Sequence, residues 1–154
     1  MRTHRQYALL LALLASSALC AAQDAPSPGG AVQPVTVHAT AHFDFDRTTV
    51  LPADQQTLLS EVATMKDVTW RTVSADGYAD NVGSADYNKR LSARRAKAVR
   101  AFLVGKGLDP QMVRAAGQGT ANPIADNTTA EGRARNRRTE VTFEGVRAVA
   151  SSAH

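Results

Sequence analysis

From Val35 to Phe45, apolar or small residues alternate with polar ones. Val35, Val37, Ala39, Ala41, Phe43 and Phe45 fall on one side. A period of two predicts a strand with one buried face. Pro52 with Asp54 then signals a helix start. Leu58, Leu59, Val62 and Met65 form one helical stripe behind it. Val68 to Tyr78, with Trp70, Val73 and Tyr78, reads as a second strand, and Asp80 to Gly83 as a turn. Ser84 is placed to cap a long helix running to about Lys106, with Asp86 near the positive end of its dipole. Gly105 and Gly107 end that helix.

Met112 to Ala116 is a short third strand. Residues 117–138 are long, polar and glycine-containing, with a short helix expected over Thr129 to Arg137. The stretch TEVTF, Thr139 to Phe143, is the last strand. The predicted order is β-α-β-α-β-(short α)-β. It implies an α/β chain of the α+β two-layer sandwich kind, with helices packed on one face of a mixed sheet.

The pattern leaves both ends outside the folded unit. Arg2 and Arg5 precede the apolar run YALLLALL, and the small residues SSALCAA follow. This is the order of a secretory signal peptide over residues 1–22, and the apolar run is shorter than the roughly 20 residues a membrane span needs. Cleavage after Ala22 removes the single cysteine. Cys20 also raises a lipoprotein reading, although Leu19 is large for the residue before a lipidated cysteine. Residues 23–34, QDAPSPGGAVQP, read as a flexible Pro/Gly-rich linker. The folded domain is expected over residues 35–146 and a disordered tail over 147–154.

Charge adds little globally and more locally. Loss of Arg2 and Arg5 from 18 basic residues leaves a surplus of two over the 14 acidic ones. So mild a balance gives no ground for nucleic-acid binding. Yet Lys89, Arg90, Arg94, Arg95, Lys97, Arg100 and Lys106 follow one another with no acidic residue between Tyr87 and Leu108. Such a face stays solvated or attracts an anionic polymer.

One of these cations is out of place. The inward stripe of the long helix should run Tyr87, Leu91, Arg95, Ala98 and Phe102, widened by Val99 and Leu103. An unpaired buried guanidinium costs several kcal/mol. Arg95 therefore meets an anion or lies at an opening, whereas Arg94 points about 100° around the helix, toward water. Two readings remain. Arg95 forms an internal ion pair with Asp80, in the turn that feeds the helix. Or the two stand apart with a zwitterion between them, Arg95 holding a carboxylate and Asp80 an ammonium, as an α-amino-acid end would require.

The block GYADNVGSADYNKRLSARRAKAVRAFLVGKGL, residues 77–108, resembles the OmpA C-terminal-like domain. That is the peptidoglycan-binding module of outer-membrane protein A, of peptidoglycan-associated lipoproteins and of flagellar stator proteins. The resemblance begins at FDFDRTTVLP and continues through GQGTANPIADNTTAEGRARNRRTEVTF, residues 117–143, so it covers nearly the whole predicted domain. It implies an exported, non-enzymatic, cofactor-free protein of the periplasm, associated with cell wall and outer membrane. Its expected partner is the diaminopimelate residue of the peptidoglycan stem peptide. Membrane association would come only through lipidation at Cys20 or a partner protein. By motif the central contacts are Asp80 and Arg95, and Asp46, Asn88 and Arg138 surround the pocket. Two departures are Ala79, where the family has Thr or Ser, and Tyr78, where His is common. The missing hydroxyl is expected to weaken one hydrogen bond by about 1 kcal/mol.

Rival chemistry exists in FDFDRTTV. Asp44, Asp46 and Thr48 match the D-x-D-x-T of haloacid dehalogenase phosphatases, with Asp44 and Asp46 as nucleophile and acid. That family also needs a downstream lysine, an acidic pair for magnesium and a capped parallel sheet. Here Phe43 and Phe45 are expected in the core, Asp44 outside, and Asp46 leaving the strand beside the pocket. His38 and His42 share a strand face about 13 Å apart, too far for one metal ion. A third reading takes the basic helix as the binder of an anionic polymer, with an internal Asp80–Arg95 pair. It lacks the exposed aromatics that stack nucleic-acid bases.

Overall fold

The computed structural model describes residues 31–64 and 66–149. The expected signal peptide with Cys20, residues 23–30 of the expected linker, Met65 and residues 150–154 lie outside the described residues. The elements are β1 (Val32–His42), α1 (Pro52–Thr64), β2 (Val68–Gly77), α2 (Ala85–Gly105), β3 (Val113–Gly117), α3 (Ala130–Asn136) and β4 (Arg138–Ala148). The four strands form one mixed sheet in the order β1-β4-β2-β3. β4 pairs antiparallel with β1 and β2, while β2 and β3 run parallel.

The register explains the core. Val37 lies opposite Phe143, Phe143 opposite Val73, and Val73 opposite Val113, so one apolar row crosses all four strands. Ala39, Val141 and Ala75 form the next row, and Trp70 meets Phe143 with ring centroids 5.7 Å apart. Leu58 of α1 and Val99 and Leu103 of α2 close this face. The other face carries Thr36, His38, Thr142 and Glu144, as period-two alternation requires.

Glycines set how closely α2 lies on the sheet. A Cβ at Gly77 would stand 2.1 Å from the Ser92 carbonyl oxygen, and one at Gly117 would stand 2.4 Å from the Ala93 nitrogen. Backbone thus meets backbone at the ends of β2 and β3. Ser84 caps α2 by accepting from the Tyr87 N–H at 3.2 Å. Thr129 does the same for α3 through Gly132, at 3.0 Å.

Three expectations change. The buried stripe of α2 is Asn88, Leu91, Ser92, Arg95, Ala96, Val99 and Leu103, with Tyr87, Ala98 and Phe102 only half-buried. The helix is rotated by about one position, because small Ser92 and Ala96 face the glycine contacts. Phe45 is not in the core: it is 62% exposed, since β1 ends at His42 and the chain turns. Strands β1 and β4 also extend each other, from Val32 paired with Ala148 to His42 paired with Arg138. The sheet therefore takes in residues 32–34 of the expected linker and 147–148 of the expected tail. Pro34 is tolerated because β1 is an edge strand.

Candidate functional site

The site lies where the ends of β1 and β2 meet the start of α2. Phe45, Asp46, Asp80, Val82, Gly83, Tyr87, Asn88, Leu91, Arg95 and Arg137 line a cavity of about 220 Å³. Each reaches it for a local reason. Asp46 has φ of +54°, a left-handed turn conformation that Asp tolerates better than most residues. This re-aims the chain after β1, and the Tyr87 hydroxyl donates to the Asp46 carboxylate across the cavity rim.

Asp80 follows β2 in the turn before α2. Its Oδ1 accepts from the Val82 N–H at 3.1 Å, which shapes the turn. Its Oδ2 accepts from Arg137 Nη1 at 3.1 Å. Asn88 donates from Nδ2 to the Val82 carbonyl at 3.0 Å, and its buried Oδ1 has no partner among the described residues.

Arg95 is fully buried. It donates to three backbone carbonyls: Nε to Arg47 at 2.9 Å, Nη1 to Tyr78 at 3.1 Å and Nη2 to Asp44 at 3.2 Å. Its guanidinium also lies 5.2 Å from the Phe43 ring centroid. These contacts hold the side chain at the cavity wall and leave about two of its five N–H donors. Burial pushes its pKa down to about 10; the Asp80 charge opposes that shift and Arg137 adds to it. Arg95 is thus a cation at neutral pH.

Four residues singled out from the sequence, Asp46, Asp80, Asn88 and Arg95, are brought together at this cavity. Arg138 is not. Successive strand residues point to opposite faces. Arg138 opens β4 and turns to the far face, 4.1 Å over the Tyr78 ring, with Nε donating to Glu140 at 2.8 Å and Nη2 to the Asn122 carbonyl at 3.1 Å. The arginine that lines the cavity is its neighbour Arg137, which also donates from Nε to the Phe43 carbonyl at 3.0 Å. Sequence reasoning missed Arg137 because the boundary of β4 decides which arginine of the pair faces inward.

The internal Asp80–Arg95 pair is likewise replaced: the ion partner of Asp80 is Arg137. The phosphatase reading finds a mixed sheet with antiparallel β4 inside it, where a parallel sheet was required. Among the described residues, no group of three or more His, Cys, Asp or Glu side chains is arranged to hold a metal ion.

Residues 42–137 match the OmpA family. The chain is 44% identical over 128 residues to an outer membrane protein A of Bordetella avium, covering 82% of this chain and 66% of that protein. It is 41% identical over 99 residues to the peptidoglycan-binding protein ArfA of Mycobacterium tuberculosis, covering 64% of this chain and 30% of that one. The chain therefore spans less than two thirds of the length of these relatives. The crystal structure of the peptidoglycan-associated lipoprotein from Burkholderia pseudomallei superposes with a TM-score of 0.58 at 26% identity, covering 68% of this chain and 89% of that one.

Proposed function

Because this chain belongs to the OmpA family, we propose that it binds peptidoglycan and anchors to the bacterial cell wall by gripping a zwitterionic amino-acid end. The bound group is the free end of diaminopimelate in the stem peptide. Arg95 offers its remaining guanidinium donors to the ligand carboxylate. Asp80 offers its carboxylate to the ligand ammonium, with the unpartnered Oδ1 of Asn88 as a further acceptor. Asp46 and Arg137 complete a wall of two cations and two anions around a doubly charged guest. No bond is made or broken, and no cofactor is required. The site works in the envelope, on the periplasmic side of the outer membrane, after export.

The observation that carries this reading is a fully buried guanidinium, fixed by backbone carbonyls and facing a cavity that also holds a carboxylate it does not pair with. Buried charges held apart, as Arg95 and Asp80 are, attract a complementary dipolar ligand more strongly than they would in water. The relatives support the class of ligand, since one is named for binding peptidoglycan and another for its association with it.

Co-sedimentation with purified peptidoglycan sacculi tests the proposal. The full chain is expected in the pellet, and Asp80→Ala and Arg95→Ala variants that retain their fold are expected in the supernatant. Folded variants that pellet like the parent would overturn it.

A further inference from the structure

The margin of the sheet carries a second surface. β1 is an edge strand, and two hydrogen bonds fix which way its backbone faces. The Phe43 N–H donates to the Arg137 carbonyl at 3.0 Å, and the Val149 N–H to the Ala31 carbonyl at 2.8 Å. Both pairs continue the β1–β4 register. Antiparallel ladders alternate, so odd-numbered residues of β1 turn their N–H and C=O groups toward β4 and even-numbered residues turn theirs outward. His42 obeys this parity: its N–H reaches out to Asp54 Oδ2 at 2.7 Å. Pro34, also even, has no N–H to present. Between these two stops, Thr36, His38 and Thr40 direct backbone donors and acceptors outward. No hydrogen bond among the described residues reaches those groups.

Edge strands are commonly protected by charged side chains. β1, VQPVTVHATAH, has no Asp, Glu, Lys or Arg. The segment is also self-complementary about His38. Thr36 matches Thr40, and in polarity, though not in size, Val37 matches Ala39 and Val35 matches Ala41.

We propose that β1 pairs antiparallel with β1 of a second copy of this chain, about a two-fold axis through His38, joining two four-stranded sheets. Thr36, His38 and Thr40 then exchange on the order of six N–H···O=C bonds with the second copy. Thr36 lies across from Thr40 of that copy on the polar face, a favourable cross-strand pair. No Asp, Glu, Lys or Arg meets its own copy at the axis. Pro34 and the occupied N–H of His42 end the ladder on both sides, and a two-fold contact closes on itself instead of propagating. The cavity lies away from this edge among β2, α2 and the β1–α1 turn, so each copy keeps its own site.

Sedimentation velocity of the full chain across a micromolar-to-millimolar series tests the pairing. A concentration-dependent monomer–dimer equilibrium is expected. His38→Lys, which sets two ammonium groups across the axis, should shift the dissociation constant at least tenfold toward monomer while the circular dichroism stays unchanged. Arg114→Lys on the opposite edge should leave the equilibrium alone. In a Cys20→Ser background, His38→Cys should cross-link under mild oxidation, because Cα atoms of such a pair stand about 5.5 Å apart, within disulfide reach. Arg114→Cys should not cross-link. A chain that stays monomeric throughout would overturn the proposal. So would a dimer indifferent to His38→Lys, or cross-linking no faster through His38→Cys than through Arg114→Cys.

Discussion

Arg95 and Asp80 line one cavity without pairing with each other. Arg95 spends its bonds on the carbonyls of Asp44, Arg47 and Tyr78, while Asp80 is held by Arg137 at 3.1 Å and by the Val82 N–H. Each charge is thus fixed by something other than its opposite across the cavity. A guest entering between them does not have to break an ion pair joining the two.

The Arg137–Asp80 pair has its own consequence. Both side chains are largely buried, at 15% and 6% exposed. Removing one partner leaves an uncompensated charge, which costs about 3 kcal/mol or somewhat more. Arg137→Met should therefore lower the urea midpoint by ~1–2 M at an unchanged slope, as read by equilibrium denaturation. An unchanged midpoint would mean that the pair does not hold the turn at Asp80.

Arg138 separates support from binding. It stacks on Tyr78 and bonds Glu140 and Asn122 on the far face of the sheet. Arg138→Leu should lower the melting temperature while the fraction that remains folded binds sacculi as the parent does. Loss of binding in a fully folded Arg138→Leu protein would return that residue to the site.

The glycine contacts predict opposite signs at two positions. Gly77→Ala sets a methyl 2.1 Å from the Ser92 oxygen and must push α2 off the sheet. A loss of roughly 3 kcal/mol is expected, at the upper end for overpacking. Gly105→Ala meets nothing within 4 Å and should gain about 0.5–1 kcal/mol from helix propensity. Chemical denaturation of both variants reads the two signs.

Tyr87 gives a pH signature. Its hydrogen bond to Asp46 raises the hydroxyl pKa, with slight burial adding to the shift. The folded state then holds that proton more tightly than the unfolded chain does. The contribution is complete below the ordinary tyrosine value near 10 and is lost as pH rises through the raised value. The stability difference between the parent and Tyr87→Phe should be flat from about pH 6 to 9 and should shrink above 10. A difference that grows above pH 10 would carry the wrong sign.

Much of this was legible in the chain. Arg95 announced itself as a charge in an apolar stripe, Ser84 and Thr129 as helix starts, and the period-two runs as the central strands. The stripe of α2 was misplaced because small Ser92 and Ala96 pack where the sheet glycines sit. The other parts that were not legible share one cause: they depend on where an element stops. Phe45 continues the alternation of β1 on paper, but the strand ends at His42 and Asp46 turns the chain, so the ring faces water. The choice between Arg137 and Arg138 depends on the first residue of β4, and a shift of one position reverses the face. The mutual extension of β1 and β4 is a pairing between distant segments, and neither VQP nor VRA carries it alone.

Calorimetric titration of the full chain with free meso-diaminopimelate tests the central claim most directly, run beside pimelate, which has the same seven-carbon chain and two carboxylates but no ammonium. The account predicts saturable one-to-one binding of diaminopimelate, no detectable heat of binding for pimelate, and loss of the diaminopimelate signal in folded Asp80→Ala and Arg95→Ala variants. Equal binding of both compounds, or diaminopimelate binding that survives both substitutions, would contradict it.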